Sequence, residues 1–203
     1  HTQYSICEGA IKILDLAKYC KENKVKSIGL CDSFNLCGAL EFSEEISKVG
    51  TQPIIGSQIN FKFYDTIGKL PVFAKTEKGF KNLTKLSSKS YLDVNENTFP
   101  HCLVDDLIKN NEDLIVLSGG MDSLFSNLIK KNNIKHQNEI TKKLKETFQD
   151  RFYFEIQRHD DIGEKNIENI FLNLSSKFKI PLIASQEIFY ISPNMYEAHD
   201  ALL

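Results

Sequence analysis

Residues 27–61, SIGLCDSFNLCGALEFSEEISKVGTQPIIGSQINF, decide the fold. An apolar run, Ser27–Cys31, ends at Asp32. A turn and an amphipathic stretch follow, and a second apolar run from Pro53 to Ile59 carries Gln58. The pattern predicts a βαβ unit with polar side chains at the strand exits, where parallel α/β folds keep their chemistry.

Working outward, helix and strand patterns alternate along the whole chain. Ala10–Lys24 places Ile11, Leu14, Ala17 and Lys18 at helical spacing, with Ile13 and Leu16 widening the apolar face. Helices are expected at Gly38–Val49, Glu77–Ser88, Leu103–Lys109, Ser123–Lys131, Asn138–Gln149, Ile162–Phe178 and Asn194–Leu203. Strands are expected at Ile54–Phe63, Leu70–Ala74, Leu114–Leu117, Phe152–Gln157 and Leu182–Ala184, with a polar loop over residues 90–102. No internal repeat is present. Repeated βα units argue for a parallel sheet, open or closed into a barrel.

At 203 residues and 41% hydrophobic, the chain can bury a sizeable core as one domain. A formal charge of −2 argues against a surface built mainly to wrap nucleic acid. Lysines nevertheless cluster at 69–89 and 130–145, a pattern that reads as solvated helix faces rather than a phosphate-contacting patch. The five cysteines form no CxxC pair, as expected of reduced thiols in the cytoplasm. No apolar run approaches the roughly 18 residues of a membrane span. The chain opens on His1 and closes on AHDALL without a stop signal, so a piece of a longer polypeptide is expected.

In a parallel β/α fold the residues just past each strand converge on one rim. Here these are Asp32 and Ser33, Ser57 and Gln58, Ser118 to Gly120, Arg158 and His159, and Gln186 and Glu187; His1 and Glu8 join them if a strand feeds His1. A polynuclear metal cluster needs imidazoles and carboxylates in bulk, and this rim dilutes them with Ser, Gln and Gly. Asp32, between a strand and a turn, is expected to satisfy backbone N–H groups. Gln58 is expected to be structural, because an amide neither takes a proton at neutral pH nor balances a cation. Ser33 has no His in a triad pattern. His101 and His136 are expected at the surface, and His199 in packing. Phe152, Tyr153 and Phe154 read as core. Leu114–Ser123, LIVLSGGMDS, is strand, Gly-rich turn and helix, and its turn at Ser118, Gly119 and Gly120 is a possible anion cradle.

Several segments together resemble one family. HTQYSICEGA is similar to the second half of an opening HxH segment, GLCDSFNLCGALEF to a TDHGNLxGAxxF block, and QPIIGSQI to KPIxGxE. VFAKTEKGFKNLTKLSSKSY, LIVLSGG, RFYFEIQRH and PLIASQEIFYISPNMYEAHDALL follow in order. The family is the N-terminal PHP (polymerase and histidinol phosphatase) domain of the alpha subunit of bacterial DNA polymerase III. The resemblance implies a distorted TIM-like β/α barrel of about seven strands, truncated here at both ends, with polymerase domains downstream of residue 203.

Active members carry a metal cluster. Carried over by position, His1, Glu8 and His159 keep the family's residue type, and Glu187 stands where Asp is usual. Ser33, Lys69 and Phe189 occupy His positions, Gln58 a Glu position, and Gly120 a Cys or His position. An ammonium at Lys69 would compete with a cation. The pattern resembles the degenerate domains of polymerases that leave proofreading to a separate exonuclease subunit. The resemblance therefore implies a non-catalytic domain that stabilises the polymerase and docks that exonuclease, meeting DNA only through the holoenzyme. No metal is expected in this chain, with Mg²⁺ serving the downstream polymerase site. One alternative is a Zn²⁺- or Mn²⁺-dependent phosphoesterase or 3′–5′ exonuclease with a reduced cluster on His1, Glu8, His159 and Glu187. A second is an ATP-binding enzyme using the SGGMDS loop.

Overall fold

The computed structural model describes residues 1–95 and 97–201. The elements run α1 (Ile13–Glu22), β1 (Ser27–Ser33), α2 (Ala39–Lys48), β2 (Gln52–Phe63), β3 (Thr66–Ala74) and α3 (Glu77–Leu92). Next come β4 (Cys102–Leu103), α4 (Val104–Lys109), β5 (Leu114–Leu117), α5 (Leu124–Lys130) and α6 (Ile134–Phe148). Then follow β6 (Phe152–Ile156), α7 (Glu164–Phe178), β7 (Leu182–Ala184) and α8 (Tyr196–Asp200). Two compact units divide the chain: His1–Gln58 with Glu187–Leu203, and Ile59–Gln186.

The first unit is built on the βαβ pattern. β1 pairs parallel to β2 in a register that sets Asp32 opposite Ser57 and Ser33 opposite Gln58. Ile13, Ala17 and Cys20 recur on one face of α1, and Ala39, Phe42 and Ile46 on one face of α2. With Leu30 of β1 they form a single core cluster. Fully burying a side chain such as Phe42 or Ile46 contributes about 1.5–3 kcal/mol. α1 starts three residues later than the apolar pattern predicts. Ile11 is taken by a bridge to Thr2, and its carbonyl accepts from the Gln3 N–H, so residues 10–11 close a loop on the N-terminal segment instead of joining the helix.

The second unit holds the rest of β2 and the strand order β2-β3-β5-β6-β7, with β4 paired to β2. β5, β6 and β7 pair in parallel, but β3 and β5 are antiparallel, with Val72 opposite Val116. This corrects the all-parallel sheet expected from the sequence. Only Tyr64 and Asp65 separate β2 from β3, and so short a link cannot make the crossover that a parallel neighbour needs. Phe152 and Phe154 are fully buried, as expected, and pack with Phe125 and Phe171, whereas Tyr153, also expected in the core, faces the other side of the strand and is half-buried.

Helix ends differ from the sequence pattern where polar side chains intervene. The Asn133 side chain accepts from the His136 N–H, so α6 begins at Ile134 rather than Asn138. α3 runs on to Leu92, and Cys102 joins the sheet opposite Phe61, so the expected 90–102 loop shrinks from both ends. The expected last helix becomes a 3-10 turn, Pro193–Met195, and the short α8; Leu202 and Leu203 lie outside the described residues.

Candidate functional site

In the first unit Asp32 organises the N-terminal segment. Its carboxylate, buried at the end of β1, accepts from the Thr2 N–H (2.6 Å), the Thr2 hydroxyl (2.8 Å) and the Ser5 hydroxyl (2.8 Å). Ser5 Oγ in turn accepts from the Ser33 N–H at 3.1 Å. The backbone N–H that the carboxylate satisfies is that of Thr2 and not, as expected from the sequence, one in the turn after β1, and the two hydroxyls were not legible there either. Thr2 and Ser5 lie some thirty residues upstream and carry no local signal of the pairing.

This anchoring sets His1 beside Ser33 and two carboxylates. His1 Nδ1 lies 3.2 Å from Ser5 Oγ, 3.5 Å from Ser33 Oγ and 3.8 Å from Glu8 Oε2, and His1 Nε2 lies 3.6 Å from Glu187 Oε1. The Ser33 hydroxyl donates to Glu8 Oε2 at 2.5 Å. The Gln58 amide donates to Glu187 Oε1, while its own Oε1 is buried and has no hydrogen-bond partner among the described residues. Phe189 stacks on the His1 ring at 4.6 Å, and His199 packs against Phe189 and meets the Glu8 carbonyl at 2.7 Å. His1, Glu8, Ser33, Gln58, Glu187 and Phe189 are thus brought together, and Asp32 stands one layer behind, facing Thr2 and Ser5. The His1 imidazole, only 3% exposed, is screened from water.

Lys69, Gly120 and His159 belong to the second unit. The backbones of Lys69 and Ser123 form a bridge beside the Gly-rich turn. That turn bonds internally: Ser123 Oγ caps the Ser126 N–H, the Ser126 hydroxyl donates to the Gly120 carbonyl, and Gly119 takes a positive φ of 76°. Ser118 Oγ accepts from the Glu155 N–H at 2.9 Å. A Cβ on Gly120 would stand 2.0 Å from Gln157 Oε1. Gln157 donates to Glu155, which also accepts from Ser185; this buried network was missed, although a Glu inside the apolar run FYFEI is its sequence signal. A cavity of about 20 Å³ lined by Gly120, Gln157 and Glu164 has room for one water. The His159 N–H donates to the Glu164 carboxylate, with Nδ1 3.3 Å from it.

Many lysines elsewhere in this unit are locally matched. Lys78, Lys81, Lys89, Lys130, Lys131, Lys142 and Lys143 each meet a carboxylate, as solvated helix faces do. The Arg158 guanidinium donates two bonds to Glu168; this holds the Glu168 carboxyl below its usual value and raises Arg158. His136 and His101 are half-buried rather than surface side chains, since His136 stacks on Tyr64 at 4.0 Å and His101 bonds the Phe99 carbonyl. Burial pushes the Cys102 thiol up to about 12 and raises Cys20. Among the described residues no helix is long and apolar enough to cross a membrane, and no three His, Cys, Asp or Glu side chains group as metal ligands.

The mixed α/β fold is shared with solved structures. A protein from Bifidobacterium adolescentis provisionally described as a metal-dependent phosphoesterase superposes with a TM-score of 0.57 at 9% identity, covering 88% of this chain and 82% of that one. An amidohydrolase from Chromobacterium violaceum, solved with sulfate and no metal, gives 0.54 at 7%, covering 96% and 93%. These are likenesses of fold, and they bear out the class read from the sequence. The PHP domain model matches residues 1–159, and the chain belongs to that family. DNA polymerase III subunit alpha of Rickettsia conorii is 35% identical over 203 residues, all of this chain and 17% of that protein. The subunits of Caulobacter vibrioides and Haemophilus influenzae are 35% and 30% identical, with 98% of this chain matched in each and 18% and 17% of those proteins. The chain therefore spans about a sixth of the length of these relatives.

Proposed function

We propose that this chain is a structural and interaction domain of a replicative DNA polymerase III alpha subunit, incomplete at both ends, and that it hydrolyses no phosphodiester itself. The observation that carries the second half is the hydrogen-bond direction around Glu8 and Glu187. Ser33 and Gln58 aim donor hydrogens at these carboxylates, and His1 sits between them under the Phe189 ring. A metal cluster needs anionic oxygens and imidazoles as ligands, and a serine hydroxyl and a glutamine amide that donate to these carboxylates bring neither charge nor an imidazole. Serine and amide donors therefore fit a metal-free, internally bonded pocket, and a metal cluster fits these residues poorly.

On this reading the residues keep the N-terminal segment fastened to the end of β1, with Gln58 of β2 holding Glu187 beside it. The domain itself docks the proofreading exonuclease, and DNA and the polymerase's Mg²⁺ site are met through the rest of the alpha subunit, in the cytoplasm. Family membership and the alpha-subunit relatives support that context. The test joins elemental analysis of the purified parent polypeptide, phosphodiester hydrolysis in added Mn²⁺ or Zn²⁺, and co-purification with a proofreading exonuclease. Substoichiometric metal, no hydrolysis and a retained exonuclease are expected. Stoichiometric metal with turnover lost in His159→Ala would establish the reduced-cluster phosphoesterase instead. ATP–pyrophosphate exchange would establish the SGGMDS enzyme.

A further inference from the structure

We infer that residues 187–200 form a strap, pinned by His199, that shuts the His1 imidazole away from solvent and bares it by lifting; this goes beyond the alpha-subunit reading and does not depend on it. Residues 187–192 lie in no helix or strand, and the 3-10 turn and α8 that follow are three and five residues long. Among residues 187–200 His199 alone is buried. Its Nε2 lies 2.7 Å from the Glu8 carbonyl oxygen. Facing a group that only accepts, that nitrogen carries a proton and donates. The His199 ring packs against Phe189 and Tyr190. The strap is also tied at its start: the His1 N–H donates to the Ile188 carbonyl and the Ala10 N–H to the Phe189 carbonyl, both at 2.8 Å, and the Gln58 amide donates to Glu187.

What the strap covers is specific. Phe189 lies over one face of the His1 ring, 4.6 Å away and 16° from parallel, and Glu187 Oε1 stands 3.6 Å from Nε2. Strap residues therefore close a face and an edge of the imidazole. The ring is 3% exposed, whereas the Glu8 and Glu187 side chains keep 29% and 31%. Solvent thus reaches the carboxylates with the strap down, and the imidazole only with it up. A segment whose own elements are too short to persist alone, held by a few hydrogen bonds and one buried side chain, opens locally long before the whole fold does. Taking away the His199 donor forfeits one of those bonds together with the ring's packing on Phe189, and should shift the opening equilibrium about tenfold. Any solute that needs the imidazole waits for this opening, so the strap is a gate on the His1 ring.

The test is carbethoxylation of the histidines of the complete parent polypeptide by diethyl pyrocarbonate, followed peptide by peptide by mass spectrometry. His101, half-buried and in the other unit, is the internal reference. His1 should react about tenfold more slowly than His101 or slower still, because it reacts through the opened state. His199→Ala should raise the His1 rate about tenfold and leave His101 unchanged. His199→Gln, whose amide N–H can reach the same carbonyl, should stay within about twofold of the unaltered protein. Phe189→Ala keeps the pin and removes the cover, so it too should speed His1. His1 reacting as fast as His101 in the unaltered protein, His199→Ala leaving His1 slow, or His199→Gln behaving like His199→Ala would overturn the strap. If His199→Ala speeds every histidine together, the fold itself is lost and Phe189→Ala decides: acceleration of His1 alone sustains the strap, and none overturns it.

Discussion

Replacing Asp32 separates an anchoring role from a chemical one. The carboxylate is 1% exposed and accepts three hydrogen bonds, two from Thr2 and one from Ser5. In Asp32→Asn the amide oxygen keeps Thr2 N–H and Ser5, and the new NH₂ meets the Thr2 hydroxyl, which can turn to accept. What is lost is charge assistance, set against a smaller desolvation cost, for a net loss of about 1–2 kcal/mol. In Asp32→Ala the Ser5 hydroxyl can swing to His1 Nδ1, 3.2 Å away, but the Thr2 N–H is orphaned in the interior. The orphan costs about 1–3 kcal/mol and the lost hydroxyl bonds about 1 kcal/mol each, so roughly 4 kcal/mol in total. Urea unfolding with a slope of about 2 kcal/mol/M should then move its midpoint by about 2 M for Ala and about 0.5–1 M for Asn. Alanine costing less than about 1 kcal/mol, or asparagine as much as alanine, would refute the anchoring argument.

Three further outcomes follow from packing and charge. Gly120→Ala drives a methyl into Gln157 Oε1 and should destabilise by about 1–3 kcal/mol; Gln157→Ala in the same chain should recover much of that loss in a double-mutant cycle of unfolding free energies. Native-state thiol labelling should modify exposed Cys7 and Cys37 and spare Cys20 and Cys102, whose burial keeps the thiols protonated; Cys102 reacting as fast as Cys7 would contradict this. Because Arg158 holds the Glu168 carboxyl low, the stability that pair contributes is present above the unfolded carboxylate value and is lost as pH falls through the lowered one. Arg158→Ala should move the NMR titration of Glu168 upward toward 4.5, and an unmoved titration would show that the guanidinium is not the cause.

The βαβ unit was legible at 27–61 because its apolar spacing is local. Leu30, Phe42 and Ile46 fall in the core that their periodicity demands. The direction of β3 was not legible as an expectation of parallel order, since two residues, Tyr64 and Asp65, overrule the alternation around them. α6 shows the same limit: one Asn133 side chain moves a boundary by four residues.

What the sequence determined by itself was membership and inventory: collinear motifs give the family, and residue types state which donors are present. Hydroxyls at Ser33 and an amide at Gln58 are chemical facts of the chain. Only the tertiary structure decided where their hydrogens go, toward Glu8 and Glu187, and that Asp32 is spent on Thr2 and Ser5. Hydrogen bonding is directional and acts within about 3 Å, whereas these partners lie from 25 to 129 residues apart, so no local pattern encodes the pairing.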